Sequence, residues 1–330
     1  MKPTYTYNDI SLVPRKLSKI RSRQDISLST SLGIGDQNIS FRMPILPSPM
    51  DTICGLEMCK TFYQNDMLGM IHRFQSVENR IEVYQNLKEE DLDAFVAVGL
   101  EEETVVKQFY DRGVRLFVLD IANGFNTCVE PMVKYMKDLE NTFVVCGNVA
   151  SKEGFEYLSK QGVDAVRVGI GTGSICTTSI LTGVGQGMVS ALIECAEVRK
   201  EIGSQSLIIA DGGVSNVGDI TKAIALGADF AMMGRMFAGT REAEGSTLKY
   251  EGKLYKTYRG SASFIVQKKI KQKPYFVEGD ETIVEYKGRV QKIFDEIEAG
   301  LRSALSYMAA SNLDEFRENS SFVLYQSANL

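Results

Sequence analysis

The sequence predicts an α/β protein folded as a single (β/α)8 barrel, the TIM-barrel architecture. Two observations support this fold. Short apolar runs recur along the chain, each closed by a polar or glycine turn, and stretches with helical spacing of apolar residues lie between them. Such alternation is typical of βα units that build a parallel sheet. Eight units close a barrel of about 250 residues plus insertions.

The eight strand-like runs are Met43–Pro47, Leu68–Ile71, Ala94–Val98, Leu116–Leu119, Phe143–Cys146, Ala165–Val168, Leu207–Ala210 and Phe230–Met233. The helix-like stretches are Leu56–Tyr63, Ile81–Leu87, Thr104–Tyr110, Met132–Leu139, Phe155–Gln161, Met188–Ile202, Val217–Leu226 and, much later, Val290–Ala310. A doubly wound open sheet is the alternative, but it normally has fewer strands and a glycine-rich turn after the first one. Here the glycine-rich turn follows the sixth run, which favours the barrel.

The composition excludes several classes of function. The 330 residues carry a net charge of −5, so nothing favours binding to nucleic acid or to an anionic membrane. Six cysteines and one histidine include no CxxC pair, which argues against a structural zinc site. No signal peptide and no run near the ~18 apolar residues of a membrane helix is present. We expect one domain over residues 1–330 in a cytoplasmic protein with reduced thiols.

The chain is organised around the stretch from Asp164 to Gly185, which reads DAVRVGIGTGSICTTSILTGVG. It begins as a buried parallel strand and then breaks into glycines, which let the backbone approach a ligand closely. Cys176 follows these glycines and is flanked by hydroxyl residues, a setting that favours a nucleophile. The alternative is that Cys176 is a small buried hydrophobic residue, as many free cysteines are.

Polar residues and glycines follow the strand-like runs, and in a barrel the carboxyl ends of the strands form the chemical face. The segments after the runs include Ser48–Asp51, His72-Arg73, Asp120 with Asn123, Gly147-Asn148, Asp211–Gly213 and Gly234-Arg235. Each of these segments alone is compatible with a simple turn. The loops after the seventh and eighth strands are a frequent phosphate site in barrels. We therefore expect a phosphorylated ligand there.

The alternation stops between Gly245 and Gly288. A segment of this length after the eighth strand is typical of a functional lid, and a surface excursion is the alternative. We interpret residues 245–288 as a flap-like insertion at the carboxyl-terminal side of the barrel.

Taken together, these motifs resemble the IMP dehydrogenase and GMP reductase family over most of the chain. The matching motifs are PMDT (49–52), IH (71–72), DIANG (120–124), GNVAS (147–151), GIGTGSICTT (169–178), TGVG (182–185), ADGG (210–213), MGRMFAGT (233–240), YRG (258–260) and EYKG (285–288). The resemblance implies a (β/α)8 barrel, a purine-nucleotide monophosphate, a nicotinamide cofactor and a homotetramer. It also implies a potassium ion on carbonyls of the loop that carries Cys176.

Within the family, the flap resembles the reductase branch. The segment from Lys273 to Phe276 lacks the arginine of the dehydrogenase Arg-Tyr pair, and the segment from Val277 to Asp280 places a glutamate before a glycine. The resemblance thus implies NADPH-dependent reductive deamination of GMP to IMP and ammonia through a covalent cysteine–purine intermediate. The alternatives are an IMP dehydrogenase that lacks the regulatory module and a non-catalytic purine-nucleotide-binding barrel.

The resemblance also implies roles for individual residues. Cys176 is the nucleophile, and Thr178 and Glu278 transfer protons. The residues implied to bind substrate are Ser48, Met50, Ser174, Asp211, Gly213, Gly234, Arg235, Tyr258, Gly260 and Ser261. The residues implied to bind the cofactor are Arg73, Asp120 and Asn123. The carbonyl groups implied to bind potassium are those of Gly171, Gly173 and Cys176.

Several positions beside the expected ligands depart from the family pattern. Thr172 stands where proline is usual, Ser179 where arginine is usual, and Ser261 where a flap methionine touches the base. The reductase arginine expected shortly before Glu278 is missing. Because recognition of a base depends on pairing buried polar groups, such changes bear on which guanine nucleotide is used.

Overall fold

The computed structural model describes residues 3–270, 277 and 279–325, and strands and helices alternate along them. The strands are β1 (Ile10–Leu12), β2 (Thr30–Ile34), β3 (Gln37–Phe41), β4 (Ile45–Pro47), β5 (Gly69–Ile71), β6 (Ala94–Val98), β7 (Leu116–Asp120), β8 (Phe143–Val149), β9 (Ala165–Val168), β10 (Leu207–Asp211), β11 (Phe230–Met233), β12 (Thr247–Tyr250), β13 (Lys253–Arg259), β14 (Glu281–Glu285) and β15 (Phe322–Leu324).

The α-helices lie mostly between consecutive strands of the central sheet. They are α1 (Leu56–Tyr63), α2 (Val77–Lys88), α3 (Glu103–Tyr110), α4 (Glu130–Lys137), α5 (Lys152–Lys160), α6 (Thr178–Thr182), α7 (Met188–Glu201), α8 (Val217–Ala225), α9 (Phe264–Ile270), α10 (Gln291–Tyr307) and α11 (Leu313–Asn319).

The central sheet has eight parallel strands in the order β4-β11-β10-β9-β8-β7-β6-β5. The two strands at the ends of this order, β4 and β5, approach each other to within 8 Å between Cα atoms, so the sheet nearly closes on itself. This arrangement confirms the predicted (β/α)8 barrel. It also explains the apolar strands, because a parallel sheet that is covered by helices is buried on both faces.

The strand interiors and the helix faces that cover them form one hydrophobic core. Every residue of Ala94–Val98 is buried, as is every residue of Ala165–Val168, including Arg167. The helices contribute one apolar face each, as Val106 and Phe109 do from α3. Several helices begin at a side-chain cap, for example Ser76, whose Oγ accepts the N–H of Asn79.

The predicted bounds differ from the observed ones mainly where a polar or glycine residue continues an element. The predicted run Phe143–Cys146 extends to Val149, although its pairing with β9 is irregular between Gly147 and Val149. Helix α4 begins at Glu130, before the predicted Met132, because proline is tolerated in the first turn of a helix. Helix α1 and strands β6, β9 and β11 have the predicted bounds.

Four short strands and one helix lie outside the barrel sheet and were not predicted. Strand β1 pairs antiparallel with β15, so the two ends of the described chain meet with Ile10 opposite Leu324. Strands β2 and β3 form a hairpin. Helix α11 follows α10 and packs near α8.

The expected flap segment contains regular structure that the sequence pattern did not indicate. Strands β12, β13 and β14 form a separate antiparallel sheet in that order, with Tyr258 opposite Thr282. Most of the side chains of β12 and β14 are exposed, so no burial pattern marks them as strands. Glu278 and the segment 271–276 lie outside the described residues.

Candidate active site

A cavity of about 450 Å³ opens at the carboxyl ends of the barrel strands. The predicted site residues that line it are Ser48, Met50, Arg73, Asp120, Gly171, Gly173, Ser174, Cys176, Thr178, Asp211, Gly213, Gly234, Arg235, Tyr258, Gly260 and Ser261. Asn123 is not brought to this wall. Its side chain is exposed, and its Oδ1 accepts the N–H of Phe125 in a local turn. The predicted Glu278 lies outside the described residues.

Residues 169–178, here called the cysteine loop, connect β9 to α6 and present Cys176 to the cavity. Gly169 and Gly171 adopt φ values of +143° and +75°, a region that favours glycine. The side chain of Cys176 is half-buried, and its Sγ lies 3.2 Å from the Oγ1 of Thr178. The loop therefore places a thiol and a hydroxyl side by side at the cavity.

The other cysteines of the chain have different surroundings. Cys54, Cys59, Cys146 and Cys195 are buried, and Cys128 is exposed. Burial raises the pKa of Cys146 to about 12 and that of Cys195 to about 12, so both remain neutral thiols at physiological pH. Because the thiolate is the reactive form, these buried groups are poor nucleophiles. Neither Cys54, Cys59 nor Cys128 lines the cavity.

The flap reaches the cysteine loop through its backbone. The N–H of Asp280 donates to the carbonyl of Ile175 at 3.1 Å, and Gly279 forms an antiparallel bridge with Cys176. Gly279 and Gly260 pack so closely that a Cβ on Gly260 would lie 3.2 Å from the Cα of Gly279. Among the described residues, the flap thus meets the cysteine loop through the backbone of Gly279 and Asp280.

A second contact fixes the base of the flap to the loop after β4. The Nε of Arg259 lies 3.2 Å from the Oδ1 of Asp51, and the backbone N–H of Arg259 donates to the Oγ1 of Thr52 at 3.2 Å. Ser48 and Met50, which line the cavity, belong to the same loop. The position of the flap and the shape of the cavity wall are therefore linked.

The loops after β10 and β11 supply the predicted phosphate end of the cavity. Gly213 has a φ of +72°, and a helical turn begins at Gly234, whose carbonyl accepts the N–H of Ala238 at 2.9 Å. The hydroxyl of Tyr258 lies 3.4 Å from the Oγ of Ser174. Burial raises the pKa of Tyr258, and the nearby Arg235 partly offsets this. The phenol therefore stays protonated and able to donate a hydrogen bond.

Lys287, which is not among the residues that line the cavity, supports the loop after β11. Its Nζ donates to the carbonyl oxygens of Arg235 and Met236, at 3.1 Å each. Burial and the charge of Arg235 lower the pKa of Lys287. Lys287 therefore fixes two carbonyls of the loop after β11, where the sequence predicts a phosphate.

Arg167 is a site residue that the sequence analysis missed. Its guanidinium lies between two carboxylates, with NH1 2.6 Å from the Oδ1 of Asp120 and NH2 2.7 Å from the Oδ2 of Asp211. Asp211 also accepts the Nδ2 of Asn148 at 2.8 Å, and Asp120 lies 3.4 Å from the Nε of Arg73. The signal in the sequence was a charged residue within an apolar strand, because buried charges require partners.

This cluster sets the charge of the cavity floor. Burial alone raises the pKa of Asp120, but Arg167 and Arg73 more than offset it, and the net effect lowers that pKa. Burial lowers the pKa of Arg167, and Asp211 and Asp120 outweigh that effect, so the net pKa of Arg167 rises. Asp120 and Arg167 are therefore both ionised at neutral pH.

Two of the three carbonyls predicted to hold potassium accept hydrogen bonds within the loop region. The Gly171 carbonyl accepts the hydroxyl of Ser179, and the Gly173 carbonyl accepts the N–H of Cys176, each at 3.0 Å. Two of the carbonyl oxygens that the resemblance assigns to potassium are therefore already hydrogen-bonded within the chain. Among the described residues, no group of three or more His, Cys, Asp or Glu side chains could hold a metal ion. Over the same residues, no helix is long and apolar enough to cross a membrane.

Comparison with known proteins agrees with this geometry. A family model described as IMP dehydrogenase / GMP reductase domain matches residues 4–330. The GMP reductase of Clostridium acetobutylicum is 38% identical over 324 residues, which cover 96% of this chain and 94% of that protein. The GMP reductase of Shouchella clausii is 37% identical with the same coverage. The GMP reductase of Bacillus licheniformis is 34% identical over 337 residues, which cover 99% of this chain and 98% of that protein. The matching domain spans nearly the whole chain, and the cysteine loop, the flap and the loops after β10 and β11 meet around one cavity. This chain therefore belongs to the IMP dehydrogenase / GMP reductase family.

Proposed function

We propose that this chain catalyses the NADPH-dependent reductive deamination of GMP to IMP, as a GMP reductase does. The balanced reaction is GMP + NADPH + 2 H⁺ → IMP + NADP⁺ + NH₄⁺. The observation that carries the proposal is the cavity that presents Cys176 and Thr178 together, between the loops for a phosphate and the Asp120–Arg167–Asp211 cluster. The similarity to curated GMP reductases over almost the whole chain supports this branch of the family.

In the first half of the reaction, the thiolate of Cys176 attacks C2 of the guanine. A C–S bond forms, the bond from C2 to the exocyclic nitrogen breaks, and that nitrogen leaves as ammonia once it is protonated. The hydroxyl of Thr178, 3.2 Å from the Sγ, is within reach of the departing group and transfers a proton to it. We propose Glu278 as the acid behind this hydroxyl. A covalent intermediate divides one difficult displacement into two easier steps.

In the second half, the C–S bond breaks and Cys176 departs as the thiolate. When bound, NADPH supplies the hydride that C2 gains in this step. Arg73 and Asp120 would hold the cofactor, since both line the same cavity as Cys176. A guanidinium has five N–H donors, so the pairing of Arg73 with Asp120 leaves donors for a phosphate group of the cofactor.

The remaining cavity residues would fix the nucleotide. Asp211 would accept hydrogen bonds from the ribose hydroxyls. The 5′-phosphate would be bound by Ser174, Tyr258, Arg235 and the backbone N–H groups of Gly213 and Gly234. The rest of the nucleotide would contact Ser48, Met50, Gly260 and Ser261. A homotetramer in the cytoplasm, where a thiol stays reduced, completes the proposal. Light scattering of the purified chain tests the tetramer.

The experiment follows nicotinamide absorbance in two parallel reactions with a thiol reductant present. One contains GMP and NADPH, and the other contains IMP and NAD. We expect absorbance to fall in the first and to stay constant in the second. The fall should disappear in Cys176→Ala and persist in Cys128→Ala, which removes an exposed thiol away from the cavity.

Two outcomes would contradict the proposal. A rise in the second reaction would identify an IMP dehydrogenase. Constant absorbance in both reactions, with a folded and reduced protein, would leave a nucleotide-binding barrel without this chemistry.

A further inference from the structure

We propose that the hydroxyl of Ser179 holds the cysteine loop in its reactive shape, so that Cys176 of this chain works without a monovalent cation. The proposal rests on the proposed function only in treating Cys176 as the reactive group. The resemblance implies a potassium ion on the loop carbonyls, and serine stands at position 179 where arginine is usual. The structure gives that serine a specific contact.

Ser179 closes the loop across eight residues. Its Oγ donates a hydrogen bond to the Gly171 carbonyl at 3.0 Å. The Gly173 carbonyl accepts the N–H of Cys176, also at 3.0 Å. A carbonyl oxygen has two lone pairs, and each of these oxygens already gives one to a donor from the same chain. A donor of the chain itself thus binds each of these two carbonyls, which were expected to bind a cation.

The space around this hydroxyl is narrow, because two glycines approach the Ser179 side chain. A Cβ on Gly171 would lie 2.9 Å from the Cβ of Ser179, and one on Gly185 would lie 3.3 Å from it. Gly171 also has a φ of +75°, which only glycine adopts readily. A serine fits this position, and its truncation to alanine removes the donor while keeping the Cβ contacts.

The same hydrogen bond acts on the nucleophile through the short helix α6. Ser179 follows Thr178 in this helix, and the Oγ1 of Thr178 lies 3.2 Å from the Sγ of Cys176. A bond that fixes α6 against Gly171 therefore fixes the hydroxyl that faces the thiol. Ser179 is a positioning residue, which acts through Thr178 and the loop backbone rather than on the substrate.

The first test uses the unaltered cysteine loop in potassium chloride and in N-methylglucamine chloride at equal ionic strength. It measures NADPH oxidation with GMP and the alkylation of Cys176 by iodoacetamide, the latter by peptide mass in a Cys128→Ser background because Cys128 is exposed. We expect each rate to be the same in both salts. A rise of either rate with potassium overturns the proposal. Alkylation needs no turnover, so a chain without reductase activity still answers this question.

The second test compares Ser179→Ala with Ser320→Ala. Ser320 donates to the carbonyl of Phe316 at 2.6 Å, at the end of α11, so the control removes the same kind of bond away from the cavity. Loss of one such hydrogen bond corresponds to about a fivefold change. We expect the alkylation rate of Cys176 to change by about this factor in Ser179→Ala alone.

Equal alkylation rates in the two serine variants overturn the proposal. A change confined to Ser179→Ala supports it whether or not potassium chloride reverses the change, and reversal would show that the freed carbonyl accepts the cation. Urea unfolding of both variants separates a loss of fold from a change in the loop. If Ser179→Ala fails to fold, the salt comparison on the unaltered loop still decides.

Discussion

Replacing Arg167 with methionine tests whether both carboxylates of the cavity floor depend on one buried cation. Arg167 is 6% exposed and Asp120 is 9% exposed, so little water reaches either group. The variant keeps most of the side-chain volume but leaves two neighbouring carboxylates without their shared cation, the buried Asp120 and the half-buried Asp211. Breaking a buried pair by removing one partner costs about 3–5 kcal/mol, mostly because the other charge stays buried without compensation.

The remaining contacts set the expected magnitude within that range. Asp211 keeps the amide of Asn148 at 2.8 Å, and Asp120 keeps Arg73 at 3.4 Å. We therefore expect the free energy of unfolding to fall by about 3 kcal/mol, the lower end. Adding Asp120→Asn to the Arg167→Met variant should recover part of this loss, since it removes one of the uncompensated charges.

The loss should also depend on pH in a definite direction. In the unaltered chain the pKa of Asp120 is lowered, so this group stabilises the fold above the unfolded pKa and loses that effect as the pH falls through the folded value. Without Arg167, only Arg73 opposes the burial that raises the pKa of Asp120, so we expect that pKa to rise and the charged form to become less favourable in the fold. The deficit of the variant should therefore be larger at about pH 8 than at about pH 5.

Urea unfolding at both pH values measures this deficit. Lys253→Met is the control, because its partner Glu285 is as exposed as Lys253 itself, and we expect no measurable loss. A loss below about 1 kcal/mol for Arg167→Met, or one that is equal at the two pH values, would refute the assignment of a charge-compensating role.

Two further predictions concern the backbone of loops at the cavity. Lys287→Met should raise the KM for GMP with little change in kcat, because it removes the donor to two carbonyls of the loop after β11, which we propose binds the phosphate. Lys253→Met should leave both constants unchanged. An unchanged KM in Lys287→Met would contradict this prediction. Gly169→Ala should prevent soluble expression, because its Cβ would lie 1.9 Å from the carbonyl oxygen of Asp211. Gly113→Ala, with a φ of +97° and nothing within 4 Å of the new Cβ, should lower the free energy of unfolding by only about 1–2 kcal/mol. Equal urea stabilities of the two variants would contradict this prediction.

Much of the fold could be predicted because the barrel strands carry their own signal. Ala94–Val98 and Ala165–Val168 have the bounds that their apolar runs predict, since a strand buried on both faces has few polar residues. The flap sheet could not be predicted in this way. The exposed side chains of Thr247–Tyr250 show no alternation of buried and exposed residues. Their pairing with Lys253–Arg259 is visible only in the folded structure.

The candidate site shows a similar division. Residues that face the cavity, such as Cys176 and Asp211, lie at or beyond the carboxyl ends of strands and were predicted from that position together with the family motifs. Asn123 occupies such a position too, but its side chain completes a turn instead of reaching the cavity. Arg167 lies within strand β9 rather than after it, so the positions that follow strands do not include it. Its role appears only when β7, β9 and β10 lie side by side.

Three supporting groups, of which Arg167 lines the cavity and Ser179 and Lys287 do not, share one property that sequence motifs do not display. Arg167 holds two carboxylates, Ser179 holds the cysteine loop and Lys287 holds the loop after β11, each through contacts that need no ligand. Since a reactive group must be held within about 0.5 Å of its working position, such supports decide how well the motif residues perform. A change at Ser179 should therefore alter the alkylation rate of Cys176 more than a change at the exposed Ser261, although only Ser261 was expected to touch the base.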